Sequence, residues 1–249
     1  FAEQYMATGP GFTPNKRQIG FQKDLEILPA FLCRADDVVL LNEKPRLEHL
    51  VSLKKAGFDL PQFETLKQGR LEKTSELLKR KVGSFKPWAW SSDIWSLFTP
   101  LIGKLTTPPP VKAKAWEEKI LPLFGKDWSA CQLQQFLDHC GWQDWHCSPD
   151  TVGKVATSTD QVLQRIEALR HMHFHRHVVK SVFGSAGGNM LRLWEPEISE
   201  RQLAWINNVI EREGKVIIEP WLDRLCDFSL QLEVEPGGIR VVDWTHLKV

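Results

Sequence analysis

Apolar residues recur along this chain with two periods, and the switches between them mark its elements. Val38-Val39-Leu40-Leu41 is a short apolar run, the mark of a buried strand; Leu47, Leu50 and Val51 then follow at helical spacing until Gly57. An extended piece near Phe58 to Leu66 and a second helix through Leu71, Leu77 and Leu78 repeat the pattern. Residues up to about 85 are therefore expected to form a small α/β unit.

From Lys86 to Pro110 the periodicity fades into PWAWSSDIWSLFTPLIGKLTTPPP, where prolines and small polar residues interrupt aromatic pairs. The triple proline Pro108 to Pro110 suits a stiff spacer, so a domain boundary is expected here, with one domain over 1–105 and another over 106–249. Downstream, three serines each have a glutamine three residues on: Ser129 with Gln132, Ser158 with Gln161, Ser199 with Gln202. Each pair predicts a capped helix start. The apolar faces behind them are Leu133, Phe136 and Leu137; Val162, Ile166 and Leu169; and Leu203, Ile206 and Ile210, with Gly141 and Gly214 as stops.

Lys215 to Glu219 reads as a strand. Phe228, Leu230, Leu232 and Val234 alternate with polar residues as a half-buried strand does; Glu235 to Gly238 turn the chain, and Ile239 to Trp244 return as a hairpin partner. This order predicts an α+β fold rather than a doubly wound one, and there is no internal repeat.

The 249 residues are enough to bury a core and enclose a cleft. With 32 basic against 31 acidic side chains, no charge asymmetry points to nucleic acid or membrane, and neither partner is expected. The basic cluster Lys79-Arg80-Lys81 reads as a solvated helix end. Five scattered cysteines predict reduced thiols and a cytoplasmic location; no secretory segment or run of ~18 apolar residues is seen. The first residue is Phe1 rather than methionine, as expected of a processed, engineered or incompletely represented protein. Eleven tryptophans beside one tyrosine are expected mainly to fill core and inter-lobe gaps, with base stacking the lesser reading.

The candidate chemistry lies in Val178 to Met190, VVKSVFGSAGGNM, an apolar strand carrying Lys180 and running into a glycine-rich loop. A lysine ammonium aimed at a loop of Gly184, Ser185, Gly187 and Gly188 can hold phosphate oxygens between its charge and convergent backbone N–H groups. The order is neither that of a P-loop nor that of a dinucleotide fold, because the lysine precedes the glycines. Further on, in Val216 to Leu222, Glu219 can accept from an adenine amine while Trp221 or Leu222 covers a ring; Asp227 can accept from ribose hydroxyls.

Strand lysine, glycine loop, helix, hinge strand ending in glutamate and a following acid together resemble the ATP-grasp superfamily. The wording PWAW, FGSAGGNM and EPWLDRLCDFSLQLE is most similar to uncharacterised bacterial ATP-grasp-like proteins. The resemblance implies a pre-grasp-like domain over 1–105 and an ATP-grasp-like region over 106–249, its first lobe reaching about 214 and its second 215–249. It implies Lys154 and Lys180 as the two phosphate lysines, Lys180 being catalytic, and Gly184, Ser185, Gly187 and Gly188 as the covering loop. Glu219, Trp221 and Leu222 become the adenine hinge and Asp227 the ribose acid, one position from the commonest spacing. The implied activity is an ATP-dependent carboxylate ligation through an acyl phosphate attacked by an amine or thiol. ATP and magnesium are the implied cofactors, and a carboxylate-bearing small molecule or peptide the partner. The family's metal ligands, on strands near the C-terminal end, have no Glu-x-Asn counterpart before Val249; they are expected beyond it, or else the protein binds nucleotide, or acts as an interaction module, without catalysis.

Two other signals weigh less. His171, His173, His175 and His177 would share one face of an extended segment as a zinc site, though a polar connection into Val178 is the preferred reading. His139, Cys140, His146 and Cys147 cluster without a C-x-x-C pair, and Cys140 is expected in a helical core face. No G-x-S-x-G elbow supports a hydrolase.

Overall fold

A computed structural model describes residues 13–87, 90–107, 119–141, 143–184, 188–235 and 237–247. The chain divides into two compact units, Phe1–Trp128 with Phe183–Gly188, and Ser129–Val182 with Asn189–Val249.

In the first unit, helix α1 (Lys16–Leu25) opens on a reciprocal capping box between Asn15 and Gln18. Strand β1 (Val38–Leu41), helix α2 (Leu47–Lys55) and strand β2 (Gln62–Thr65) follow, the two strands pairing in parallel from Val38 opposite Gln62 to Leu41 opposite Thr65. This is the strand–helix–strand alternation that the sequence predicts. Val39 and Leu41 point inward with Ala30, and Ile27, Cys33 and Phe63 pack on them. The Glu26 carboxylate closes the end of β1, accepting from the N–H of Asn42 at 2.9 Å and of Glu43 at 3.2 Å.

The second helix expected through Leu71 and Leu77 is only a 3-10 turn, Glu76–Leu78. Leu71 and Leu77 are not one helical turn apart, and the Ser75 hydroxyl accepts from Leu77 N–H, starting a turn that no further apolar period extends. The aromatic stretch after Lys86 forms α3 (Ser92–Phe98), where Phe98 stacks on Phe85 at 4.1 Å and Trp95 on Trp90 at 4.3 Å. Trp95 is packed as expected, but Trp128, Trp145, Trp194 and Trp244 are exposed, so the tryptophans do not mainly fill the core. Pro108 to Pro110 lie outside the described residues.

Helix α4 (Lys126–Cys140) begins three residues before Ser129, which therefore lies inside it and does not cap it. Nothing in Lys126-Asp127-Trp128 breaks a helix, so the start moves back to Gly125. Cys140 is exposed, and Leu133 and Phe136 are 40% and 45% exposed; the expected core face is a surface one. All five cysteines are free.

The core of the second unit is an antiparallel sheet of β3 (Lys154–Ala156), β4 (His177–Ser181), β5 (Met190–Leu193) and β6 (Val216–Pro220), in the order β3-β6-β4-β5. Helix α5 (Thr159–His171) joins β3 to β4 across β6, and α6 (Glu200–Glu213) joins β5 to β6 across β4. Ser158 caps α5 through Gln161 N–H; Ser199 and Gln202 form the full reciprocal box at α6, which ends on Gly214 at φ 77°. Val162, Ile166 and Leu169 of α5 and Ile206 and Val209 of α6 lie on Ala156, Val179, Leu193, Val216 and Ile218, so both helices cover one sheet face. Burial of these side chains, about 1.5–3 kcal/mol each, holds the sheet against them.

Strands β7 (Asp227–Glu235) and β8 (Gly238–Leu247) form the predicted antiparallel hairpin, with a bulge between Gln231 and Leu232. Its apolar face is not half-buried: Phe228 is 73% exposed and Trp244 66%. Alternation predicts which side chains share a face, whereas burial requires a second layer against that face. The chain is thus a mixed α+β fold. No helix among the described residues is long and apolar enough to cross a membrane.

Candidate functional site

Strand β4 sends His177, Val179 and Ser181 toward the helices and Val178 and Lys180 to the opposite face. In the β4–β6 ladder Val178 lies opposite Glu219 and Lys180 opposite Ile217, so Lys180 and Glu219 are diagonal neighbours on that face, about 7–8 Å apart at the backbone. Their side chains close the gap: the Lys180 ammonium donates to Glu219 Oε2. The two are 26% and 27% exposed, set among the buried Val178 and Ile217.

Gly153, just before β3, leaves the room that Glu219 uses. A Cβ there would lie 2.8 Å from Ile217 Cγ2 and 3.0 Å from Glu219 Oε1. On the far side of β4, Arg192 pairs with Val178 and shares the face of Lys180. Its guanidinium rests over two indoles, 5.0 Å from the Trp221 ring and 5.6 Å from that of Trp194, which meet edge to face.

The other predicted residues are placed as follows. The Trp221 N–H donates to the Arg176 carbonyl at 2.8 Å, continuing the ladder, and Leu222 beside it is exposed. Lys154 pairs with Ile218, which puts it on the face that the helices cover, and its ammonium donates to Gln134 at 2.8 Å. The structure thus does not bring Lys154 to the side of the sheet that carries Lys180. Asp227 opens β7 and pairs with Arg224 at 2.6 Å. Gly184 accepts from the Lys126 ammonium at 2.6 Å within the first unit, and Gly188 is exposed. Ser185 and Gly187 lie outside the described residues.

Glu213 escapes sequence reading. From the last turn of α6 its carboxylate accepts from the Ser181 hydroxyl at 2.5 Å and from the Val182 N–H at 3.1 Å, fixing the two residues that follow Lys180. Gly214, in the left-handed conformation, turns the chain so that this carboxylate faces the end of β4. Gly153, Lys126 and Arg192 also carry no motif.

The histidine run is not extended. His171 ends α5 beside Glu167, His173 has φ 66°, and only His177 enters a strand. Among the described residues no three His, Cys, Asp or Glu side chains gather around a possible metal position. His177 is 1% exposed and donates from Nε2 to the Phe174 carbonyl at 2.9 Å, which places a proton on that nitrogen. Burial, with smaller contributions from Arg170 and His175, outweighs the bond to Phe174 and pulls its pKa below the usual histidine value. The unfolded chain then takes up a proton before the folded one does. Stability should be full above about pH 6.5 and fall as the pH drops from there toward the folded value. Melting temperatures between pH 7.5 and 5 should decline more steeply for the wild type than for His177→Gln; parallel curves would remove His177 as the cause.

No protein-family model matches the chain, and no curated protein does. Among solved structures the chain is similar to D-alanyl-alanine synthetase A from Vibrio cholerae O1 biovar eltor str. N16961, at 13% identity and a TM-score of 0.41 over 86% of this chain and 67% of that one.

Proposed function

We propose that this protein is an ATP-grasp-like nucleotide-binding protein acting as an ATP-dependent ligase. It would turn a carboxylate into an acyl phosphate that an amine or thiol then attacks. The observation that carries this reading is the meeting of Lys180 and Glu219 on one sheet face, a strand lysine and a hinge glutamate separated by 39 residues in sequence. Lys180 holds the phosphates, Glu219 accepts from the adenine amine, and the loop with Gly184, Ser185, Gly187 and Gly188 covers the phosphate chain. Trp221 and Leu222 flank the base and Asp227 takes the ribose. Residues 1–105 serve as the pre-grasp-like domain. Magnesium accompanies the nucleotide; the described residues hold no cluster of three ligands for it, so what they contribute is charge and hydrogen bonding.

ATP with magnesium at about a hundredfold excess over Kd should stabilise the folded state by ~2.7 kcal/mol, a rise in Tm of roughly 5–10 °C for a chain of this size. Lys180→Met should abolish most of that rise. Release of ADP that depends on added carboxylic acids would establish the ligase; a thermal shift with no ADP release from any acid would leave a nucleotide-binding protein without catalysis. No shift with ATP in the wild type would end the reading.

A further inference from the structure

A second concentration of charge lies in the first unit, where the basic run Lys79-Arg80-Lys81 leaves the 3-10 turn Glu76–Leu78. The chain then passes beside the end of another such turn, Thr99–Lys104. The Val82 N–H donates to the Lys104 carbonyl at 3.0 Å and the Thr106 N–H to the Val82 carbonyl at 2.8 Å, which makes a parallel bridge between Val82 and Leu105. This pairing brings Lys104 to the other three cations, and the four line one open cleft of about 590 Å³ together with Gly103 and Thr106. Among the described residues a single acid meets them, Glu76, which pairs with Lys79 at 2.6 Å. Arg80 donates to the neutral Gln62 at 3.1 Å, and Lys81 and Lys104 are exposed with no acid in contact. A Cβ at Gly103 would meet no protein atom within 4 Å, so this part of the lining faces open space.

We propose that this cleft binds a small anion carrying at least two negative charges, a polyphosphate or a polycarboxylate, on residues of the first unit alone. Like charges gathered on one rim repel one another; a monovalent ion relieves one of them, whereas a multivalent ion relieves several at once. Arg80 adds a planar fork that suits phosphate or carboxylate oxygens. The volume is that of a small-molecule site, and 32 basic against 31 acidic side chains leave no wider basic surplus for a nucleic acid to follow. The proposal does not depend on the nucleotide reading, whose Lys180 belongs to the other unit.

Titration calorimetry at one low ionic strength and without magnesium tests the site, with pyrophosphate and citrate as probes. Lys81→Gln and Lys104→Gln should each weaken binding about fivefold, the upper end for one exposed charge pair, and the double variant by roughly the product of the two. Gly103→Leu changes no charge and should also weaken both probes, because its side chain takes space in the cleft. Lys55→Gln, exposed at the end of α2, removes the same charge elsewhere and should leave both affinities unchanged. Tighter pyrophosphate assigns the site to phosphates and tighter citrate to carboxylates; either order supports the proposal. The same losses should appear in a Lys180→Met background. A loss on Lys55→Gln equal to that on Lys104→Gln, or no loss on Gly103→Leu, would reduce the binding to diffuse attraction and overturn the site. Binding abolished by Lys180→Met alone would put the anion at β4 and overturn it too. A single-stranded RNA oligomer that binds more tightly than either probe, with the same sensitivity to Lys81 and Lys104, would make the cleft part of a nucleic-acid surface instead. The substituted positions 55, 81, 103 and 104 are exposed, and circular dichroism melts check that each variant folds; should Lys180→Met not fold, the wild-type series decides.

Discussion

Glu213→Ala should lower the stability of the second unit by about 3 kcal/mol, because it removes one carboxylate that serves two separate donors at the end of a central strand. The Ser181 side chain and Val182 are within 1% of complete burial, so water cannot readily replace the acceptor. Glu213→Gln keeps an oxygen in place and should cost about 1 kcal/mol, the difference between a charge-assisted and a neutral bond. In thermal melts the alanine variant should fall by roughly 6–12 °C and the glutamine variant by a third of that. Equal losses from the two would assign the effect to the negative charge rather than to an acceptor oxygen as such. Under the nucleotide reading the same ordering should hold for ATP affinity, since Glu213 fixes the two residues just after Lys180.

The elements that could be read from the sequence were those whose signals are local. Ser158 and Ser199 each set a helix start through a neighbour three residues on, ahead of an apolar period. Asn15 does the same chemistry, but its helix buries no residue, so no apolar period announces it. Val38–Leu41, and β4 around Lys180, were legible because an unbroken apolar run has few uses outside a covered sheet. Ser129 misled because the capping motif is necessary chemistry at some helix starts but does not forbid a helix from beginning earlier. The face that Lys154 occupies was not legible for a different reason: it depends on register with a partner strand, here Ile218, sixty-odd residues away in sequence. The apolar side of the β7–β8 hairpin was visible as a pattern, and its exposure was not, because cover is a property of other elements. Within the candidate site Lys180 and Glu219 carried a signal through their strands. Glu213 and Arg192 carried none, since their roles arise only when α6 and β5 pack beside β4.

Gly153 gives the second large effect, and one that reports directly on the site. Its backbone is not in the left-handed region, so alanine is conformationally allowed and the penalty is one of space alone. The new Cβ would meet Ile217 Cγ2 at 2.8 Å, and Ile217 cannot yield easily: it is completely buried, β-branched and held in the ladder opposite both Lys180 and Val155. Overpacking of this kind costs about 1–3 kcal/mol, more for Gly153→Val, with a fall in Tm of several degrees. The other contact is Glu219, whose Oε1 would stand 3.0 Å from the added atom and its Cγ 3.1 Å. Glu219 is the more mobile of the two neighbours, so the strain should drive its carboxylate out of line with Lys180. A double-mutant cycle separates the two contacts: in a Glu219→Ala background the clash with the carboxylate and its stem disappears while that with Ile217 stays, so Gly153→Ala should cost less there than in the wild type. Equal costs in both backgrounds would mean that Glu219 does not lie against Gly153, and that the placement of the pair on this face is wrong.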